Sequence, residues 1–260
     1  MDAKRAEVNG TVISYYDAGQ GEPVVLIHGF CGSKDYWQNV IPALADSYRV
    51  IAVDLPGHGG SGLPDGDISV ETMAEMIKGT FEELGLEKVS LIGHSLGGYV
   101  TLAFAEAYED RLKQFSLLHS TANPDSEEGK KGREVAAGKI DADGIKSFVD
   151  GLVPNLFAPG EKHLEDQQQA KEIGYGTNPE GAKASLKAMK QRPDRNHVLK
   201  NSKLPVLMIA GEKDQVVPPE KSFTVTGLNI QQVTIKGAGH MSMYEAPAEL
   251  LEVFRGFLEE

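Results

Sequence analysis

Short apolar runs alternate along this chain with longer segments in which apolar residues recur every three to four positions. Runs that are apolar throughout and bounded by polar turns are typical of parallel strands buried on both faces. The first strands differ, because Asn9-Gly10 between two strand-like stretches is the turn sequence of a β-hairpin. With that hairpin, the pattern predicts an α/β fold whose eight-stranded, mostly parallel sheet is flanked by helices. The predicted parallel strands are residues 24–27, 50–53, 89–92, 115–119, 204–210 and 231–235.

Helical spacing is clearest in four segments. One follows Ser33, and a second begins after Ser69, where a serine side chain can accept from the free amides of the first turn. A third, from Leu96 to Tyr108, is apolar on nearly all sides and is therefore predicted to be buried. The last begins near Pro247, a residue suited to a first helical turn.

The alternation stops between residues 121 and 200, where no strand is predicted. A segment this long is not a simple loop, so we expect a helical cap inserted between strands 6 and 7, over one end of the sheet. Residues 1–120 and 201–260 then form the core. The amphipathic stretches of the predicted cap are residues 127–138, 143–157, 161–173 and 179–191.

Composition narrows the function classes. The formal net charge of −12 argues against nucleic acid and acidic membranes as partners. No apolar run reaches membrane-spanning length, and the polar first residues lack a signal-peptide core, so we expect a cytoplasmic protein. For its oligomeric state we expect a monomer or a homodimer. A single cysteine, Cys31, forms no internal disulfide. The compact basic group is interpreted as a solvated helix face: Lys130, Lys131 and Arg133, beside Glu127, Glu128 and Glu134.

The strongest chemical signal is Gly93-His94-Ser95-Leu96-Gly97, a GxSxG sequence directly after one predicted strand and before the buried helix. Such a turn is strained, and glycines are needed where a β-carbon would meet neighbouring backbone. The turn presents the Ser95 hydroxyl beyond the carboxyl end of the strand. We therefore predict Ser95 as a nucleophile.

This sequence resembles the α/β-hydrolase family, and most of all the small bacterial serine carboxylesterases with a helical cap. The resemblance covers nearly the whole chain and implies a serine, an acid and a histidine in that order, here Ser95, Asp214 and His240. It is carried by HGF at 28–30, DLPGHGGS at 54–61, GHSLGG at 93–98, GEKDQVVP at 211–218 and GAGHMSMYEAP at 237–247.

Position supports the same partners independently. A hydroxyl needs a base, and the base needs a carboxylate that fixes its tautomer. Asp214 and His240 each follow a predicted strand by a short loop, so both are expected at the rim of the sheet where Ser95 lies. Glu212 is the rival acid. His58 and His119 stay open, and His94 is expected to shape the turn rather than to transfer protons.

A developing oxyanion needs preorganised amide donors. The Leu96 amide, at a helix N-terminus, is one predicted donor, and the resemblance implies the Phe30 amide as the other. Neither role depends on the side chain. An apolar, partly closed pocket is expected beneath the cap, with no feature dedicated to a charged substrate. Its predicted lining is Phe30, His94, Phe148, Leu152, Leu156 and Met241.

No cofactor or metal is predicted. The Gly57–Gly62 stretch matches GxGxxG, but Pro64 follows at once, whereas a dinucleotide loop must open directly into a helix. Neither an HExxH motif nor paired cysteines are present.

These features predict an enzyme, a serine hydrolase that cleaves short- to medium-chain carboxylic esters through an acyl-enzyme. A lactonase, thioesterase, carbon–carbon hydrolase or perhydrolase would use the same residues, so the triad does not separate them. A ligand receptor with slow or no turnover is the alternative from another class. The small-molecule ester is the expected partner in the first case.

Overall fold

The computed structural model describes residues 1–160 and 162–259, and these contain one eight-stranded sheet. Its strands are β1 (Lys4–Val8), β2 (Thr11–Ala18), β3 (Pro23–Ile27), β4 (Arg49–Val53), β5 (Val89–His94), β6 (Leu112–Leu118), β7 (Val206–Gly211) and β8 (Ile230–Ile235). Their order is β1-β2-β4-β3-β5-β6-β7-β8. β2 is antiparallel to both β1 and β4, and the remaining pairs are parallel. The predicted hairpin and mostly parallel sheet are confirmed.

Burial follows strand position. All residues of β5 and β7 are buried, because helices cover both faces of the central sheet. The edge strand β8 is partly buried or exposed along most of its length, and only its last residue, Ile235, is buried. The most deeply buried part of the sheet therefore comprises the central strands β3, β5, β6 and β7. The loops that follow these strands at their carboxyl ends begin from well-packed positions.

Helices flank the sheet in the described residues. Ser69 begins one of them by accepting from the Thr72 amide, as expected. The single helix expected after Ser33 is instead a 3₁₀ turn, Lys34–Trp37, followed by a short α-helix. Pro42 explains the break, because proline lacks an amide hydrogen and clashes with the carbonyl four residues earlier. The flanking helices are α1 (Ile41–Leu44), α2 (Val70–Glu83) and α3 (Leu96–Tyr108).

All regular elements between β6 and β7 in the described residues are helices. Two of the predicted stretches form one helix, bent where Gly144 has φ 78° and ψ 166°. The predicted start of the third stretch, residue 161, lies outside the described residues. A short helix from Asn196 to Asn201 was not predicted. These helices are α4 (Glu127–Leu152), α5 (Leu164–Tyr175), α6 (Pro179–Gln191) and α7 (Asn196–Asn201).

This helical segment lies against the loops at the carboxyl ends of the strands. The rings of Phe30 and Phe148 meet edge to face, 6.0 Å apart. The Asn178 amide donates to Gly57 O at 3.1 Å, in the loop after β4. Between β7 and β8 lies the short helix α8 (Pro219–Ser222), and β8 is followed by α9 (Ser242–Glu245) and α10 (Pro247–Leu258). None of the helices in the described part of the chain has both the length and the apolar character of a membrane span.

Candidate active site

Ser95 lies in a tight turn between β5 and α3, with φ 52° and ψ −111°. Its amide donates to Leu118 O at 2.9 Å, and its carbonyl accepts from Ser120 Oγ at 2.8 Å, so the turn is fixed to β6 and the residues after it. A β-carbon at Gly93 would overlap Gly97 O, and one at Gly97 would meet the backbone at the end of β3. The glycines are therefore a steric requirement of the turn.

His240 and Asp214 meet as the topology predicts. Asp214 Oδ2 lies 2.7 Å from His240 Nδ1, and both residues are buried. Asp214 Oδ1 accepts from the amides of Val216 and Val217 at 2.8 and 2.9 Å. Burial raises the pKa of the Asp214 carboxyl, but the charge of His240 and the hydrogen bonds of His119 and His240 outweigh it and leave the pKa well below its usual range. Asp214 is therefore ionised and orients the imidazole.

The rival acid, Glu212, points elsewhere. Its Oε2 accepts from the Gly237 amide at 2.8 Å, at the exposed end of the β8 loop. Asp214 is the carboxylate beside His240. Glu212 instead holds the loop that leads to His240.

A second histidine contacts the same carboxylate. His119, which the sequence leaves open, has its Nδ1 3.2 Å from Asp214 Oδ2. The Gly211 amide nitrogen lies 3.1 Å from the same Nδ1, and the other ring nitrogen, Nε2, lies 2.7 Å from Ser242 Oγ. Burial lowers the pKa of His119 despite the neighbouring carboxylate. His119 therefore packs against Asp214 as a neutral ring.

Glu245 holds the His240 loop, and sequence reasoning missed it. Its Oε2 accepts from the amides of Gly239 and Met241, at 2.9 and 3.1 Å, on either side of the histidine. Its Oε1 accepts from the Ala158 amide at 2.7 Å. One carboxylate thus joins the loop after β8 to the connection between α4 and α5. The only sequence signal is an acid five residues after His240.

Both predicted oxyanion donors are free. Neither the Phe30 amide nor the Leu96 amide has a hydrogen-bond acceptor among the described residues. Leu96 opens α3, where the helix dipole favours negative charge. His94 donates from Nε2 to His240 O at 2.9 Å and so links the Ser95 turn to the His240 loop. Burial lowers the pKa of His94 well below its usual value, so that ring is neutral.

Ser95 and His240 line one cavity of about 420 Å³, together with four residues of the predicted pocket: Phe30, His94, Leu152 and Leu156. Phe148 lines an adjoining cavity of about 500 Å³, which shares Phe30 and Leu152 with the first. Met241 lines neither cavity, because its side chain is completely buried beneath the His240 loop. Among the described hydrogen bonds, Ser95 Oγ takes part in none, so it is available to a ligand in the cavity.

The cavity is more strongly charged than the sequence predicts. Arg133, interpreted above as part of a solvated face, lines it together with Arg192, Lys221 and Asp125. Arg133 Nε lies 3.1 Å from Asp125 Oδ2, and Arg192 Nη1 lies 2.8 Å from Asp125 Oδ1. The lining therefore combines apolar side chains with three cations and one carboxylate, whereas the sequence indicated no feature dedicated to a charged substrate.

Cys31, which follows Phe30, is a buried structural residue. It has φ 55° and 1% exposure, and burial raises the pKa of its thiol. A protonated, buried thiol is a poor nucleophile.

One group of side chains in the described residues has the donor types of a metal site: His119, Asp214 and His240, with donor atoms within 4.8 Å of one another. Their Nδ1 atoms already meet Asp214 Oδ2 directly. Asp214 thus orients the imidazole of His240, which lines the same cavity as Ser95.

Comparison with known proteins agrees with this fold. Residues 22–143 match the family described as alpha/beta hydrolase fold. The dihydrolipoyllysine-residue acetyltransferase component of the acetoin cleaving system of Pseudomonas putida is 31% identical over 99% of this chain and 69% of that protein. A thermophilic esterase from Thermogutta terrifontis, solved with malate bound, superposes with a TM-score of 0.93 at 31% identity, covering 100% of this chain and 98% of that one.

A third relative is the 2-hydroxy-6-oxo-6-(2'-aminophenyl)hexa-2,4-dienoic acid hydrolase of Metapseudomonas resinovorans, 26% identical over 96% of this chain and 88% of that protein. The chain belongs to the α/β hydrolase family and is a hydrolase.

Proposed function

We propose that this hydrolase is a serine carboxylesterase that cleaves short- to medium-chain esters through an acyl-enzyme. One observation carries the proposal: the 2.7 Å contact between His240 Nδ1 and Asp214 lies beside the same cavity that Ser95 lines from its strained turn. A nucleophile, a base and an orienting carboxylate are the groups that a serine hydrolase uses for acyl transfer.

In the first half-reaction, Ser95 Oγ attacks the ester carbonyl while His240 Nε2 takes its proton. The Asp214 carboxylate stabilises the imidazolium that forms. The carbonyl oxygen becomes an oxyanion, which accepts from the free amides of Phe30 and Leu96. The C–O bond to the alcohol then breaks, and the His240 imidazolium gives its proton to the departing oxygen.

In the second half-reaction, water replaces the alcohol. His240 takes a proton from the water, whose oxygen attacks the acyl carbon. The bond to Ser95 Oγ breaks, His240 returns the proton to Ser95, and the carboxylic acid leaves. The same donors stabilise both oxyanions, so one set of residues serves both halves.

Residues 121–200 act in this proposal as a cap over the core formed by residues 1–120 and 201–260. Leu152 and Leu156 come from this segment and line the cavity with Phe30 of the core. A cap of this kind shields the acyl-enzyme from competing groups and sets the length of acyl chain that fits.

Ser95→Ala tests the proposal. With p-nitrophenyl acetate and butyrate, we expect kcat/KM to fall by about 10⁴-fold or more, because the nucleophile is lost. Ser47→Ala is the matched control, since Ser47 is exposed before β4, at the opposite edge of the sheet, and it should keep full activity. Retention of activity by the Ser95 variant would contradict the mechanism. A single stoichiometric burst from the unaltered protein, without further turnover, would indicate the ligand receptor instead.

A further inference from the structure

We propose that the preferred ester carries a second carboxylate, held by a cationic wall formed by Arg133, Arg192 and Lys221. This inference rests on the proposed esterase function and adds the class of substrate. The three cations line the cavity that also contains Ser95 and His240, and Asp125 is the carboxylate in that lining. The lining therefore has an excess of positive charge, which a bound anion would balance.

Asp125 does not neutralise the wall, because two guanidinium groups share it. Arg133 approaches one carboxylate oxygen of Asp125 and Arg192 approaches the other. Lys221 has no carboxylate within ion-pair distance among the described residues. Arg133 donates a hydrogen bond through Nε only, so its two terminal nitrogens remain available. A carboxylate is the planar acceptor that such a pair of nitrogens fits.

Arg192 is a buried residue of the cationic wall rather than a surface side chain. Only 4% of its side chain is exposed, and its guanidinium lies 3.9 Å from the centre of the Tyr99 ring. Its Nε donates to Asn123 O at 3.2 Å and its Nη1 to Met189 O at 2.8 Å. Nη2 has no acceptor in the described part of the chain. Burying a guanidinium is unfavourable unless its donors are matched, and an anionic ligand would match the remaining ones.

The sign of the wall is opposite to that of the molecule. The chain has a formal net charge of −12, so an anion is repelled at long range, whereas the three cations of this cavity attract it at short range. A neutral ester leaves the wall without its counter-charge, whereas an ester with a second carboxylate fills it. A site whose buried polar groups pair with a substrate strongly disfavours an analogue that lacks the matching group, because those buried groups are then left unpaired.

Paired substrates test this inference. Mono-p-nitrophenyl glutarate carries the carboxylate on the acyl side, and p-nitrophenyl valerate is its neutral counterpart of equal chain length. Butyryl glycolate and ethyl butyrate form the same pair on the alcohol side. We expect at least one anionic ester to exceed its neutral counterpart in kcat/KM by about 10- to 100-fold, the worth of a charge-assisted hydrogen bond. The preference should shrink as salt is raised.

Charge-removing variants locate the effect. Arg133→Gln and Lys221→Gln should each reduce the kcat/KM ratio of the anionic ester to its neutral counterpart by about tenfold. Lys130→Gln is the matched control, because Lys130 lies on the same helix, pairs with Glu127 and does not line the cavity. Lys221 is exposed, so its variant gives a readout even if the Arg133 variant does not fold.

The outcomes separate the two proposals. Equal kcat/KM for both members of both pairs, with activity lost in Ser95→Ala, would overturn the cationic wall and leave the esterase standing. If no ester is hydrolysed, the esterase proposal fails, and calorimetric titration of Ser95→Ala with glutarate then decides. Binding that Arg133→Gln weakens would keep an anion site at the wall, and absence of binding would remove it.

Discussion

At the scale of single residues, Ser95 is under backbone strain. A residue with a β-carbon at φ 52° and ψ −111° is disfavoured by about 1–3 kcal/mol, and glycine relieves most of that. Ser95→Ala keeps the β-carbon, whereas Ser95→Gly removes it. We therefore expect the Ser95→Gly protein to have a free energy of unfolding about 1 kcal/mol higher than the Ser95→Ala protein, measured by urea denaturation. Both variants should lack esterase activity.

An ordinary helical position should show the opposite order. Ala184 lies inside α6, and Ala184→Gly should lower the free energy of unfolding by about 1 kcal/mol. If Ser95→Gly is instead less stable than Ser95→Ala by a similar amount, the turn is not strained and the geometric basis of the nucleophile's position is wrong.

The sequence locates those site residues whose position is set locally. Ser95 is fixed by a strand, a turn with glycines and a helix that follow one another, so the pattern is sufficient. The hydrogen bonds of Glu245 and the packing of His119 against Asp214 depend on chain segments that meet only after folding. The sequence assigned Arg133 to a solvated face because its neighbours along the helix are charged. Its place in the cavity depends on Asp125 and on Arg192, which is distant in sequence and pairs with the other oxygen of Asp125.

At the scale of elements, α4 depends on one glycine. Gly144 has φ 78° and ψ 166°, a region that only glycine adopts readily, and it is where the helix bends. Gly144→Ala should lower the free energy of unfolding by about 1–3 kcal/mol, because the helix must either strain or straighten. Urea denaturation of the two proteins measures the difference.

Gly138 provides the matched control in the same helix. Its backbone is helical and an added β-carbon meets no atom within 4 Å. Gly138→Ala should raise the free energy of unfolding by about 0.4–1 kcal/mol, through the smaller entropy of the unfolded chain. A loss of stability on both substitutions would show that the bend at Gly144 is not the cause.

Helices and strands could be predicted where a segment of the sequence shows a single hydrophobic periodicity. The buried strands and α2, α3 and α10 follow from apolar spacing. The predicted stretches 127–138 and 143–157 are separated by residues 139–142, just before the bend at Gly144, but the pattern gave no reason for the helix to continue across that gap. Whether a helix ends or bends at a glycine depends on what its two halves pack against, and here both halves lie in the same segment over the core loops.

At the scale of the whole molecule, the core contains four neutral histidines. His28, His58, His94 and His119 are all buried. Burial lowers the pKa of each of them, in the case of His58 to about 3. They connect the loops around the site: His28 Nε2 accepts from the Leu55 amide, and His94 reaches His240 O. Folding therefore requires these rings to remain unprotonated, which couples the site's geometry to the stability of the fold.

Acid should for this reason destabilise the protein well before its carboxylates titrate. In the unfolded chain these histidines have a pKa near 6.5, so below that pH the unfolded state binds protons that the folded state excludes. Stability is present above about pH 6.5 and falls as pH decreases, with a slope that approaches about 1.4 kcal/mol per pH unit for each histidine that stays neutral in the folded protein. Urea denaturation from pH 7.5 to 5.5 measures this slope. His58→Gln should make it shallower by about a quarter, whereas His197→Gln, at an exposed site, should leave it unchanged. A free energy of unfolding independent of pH over this range would show that the four rings do accept protons in the folded protein.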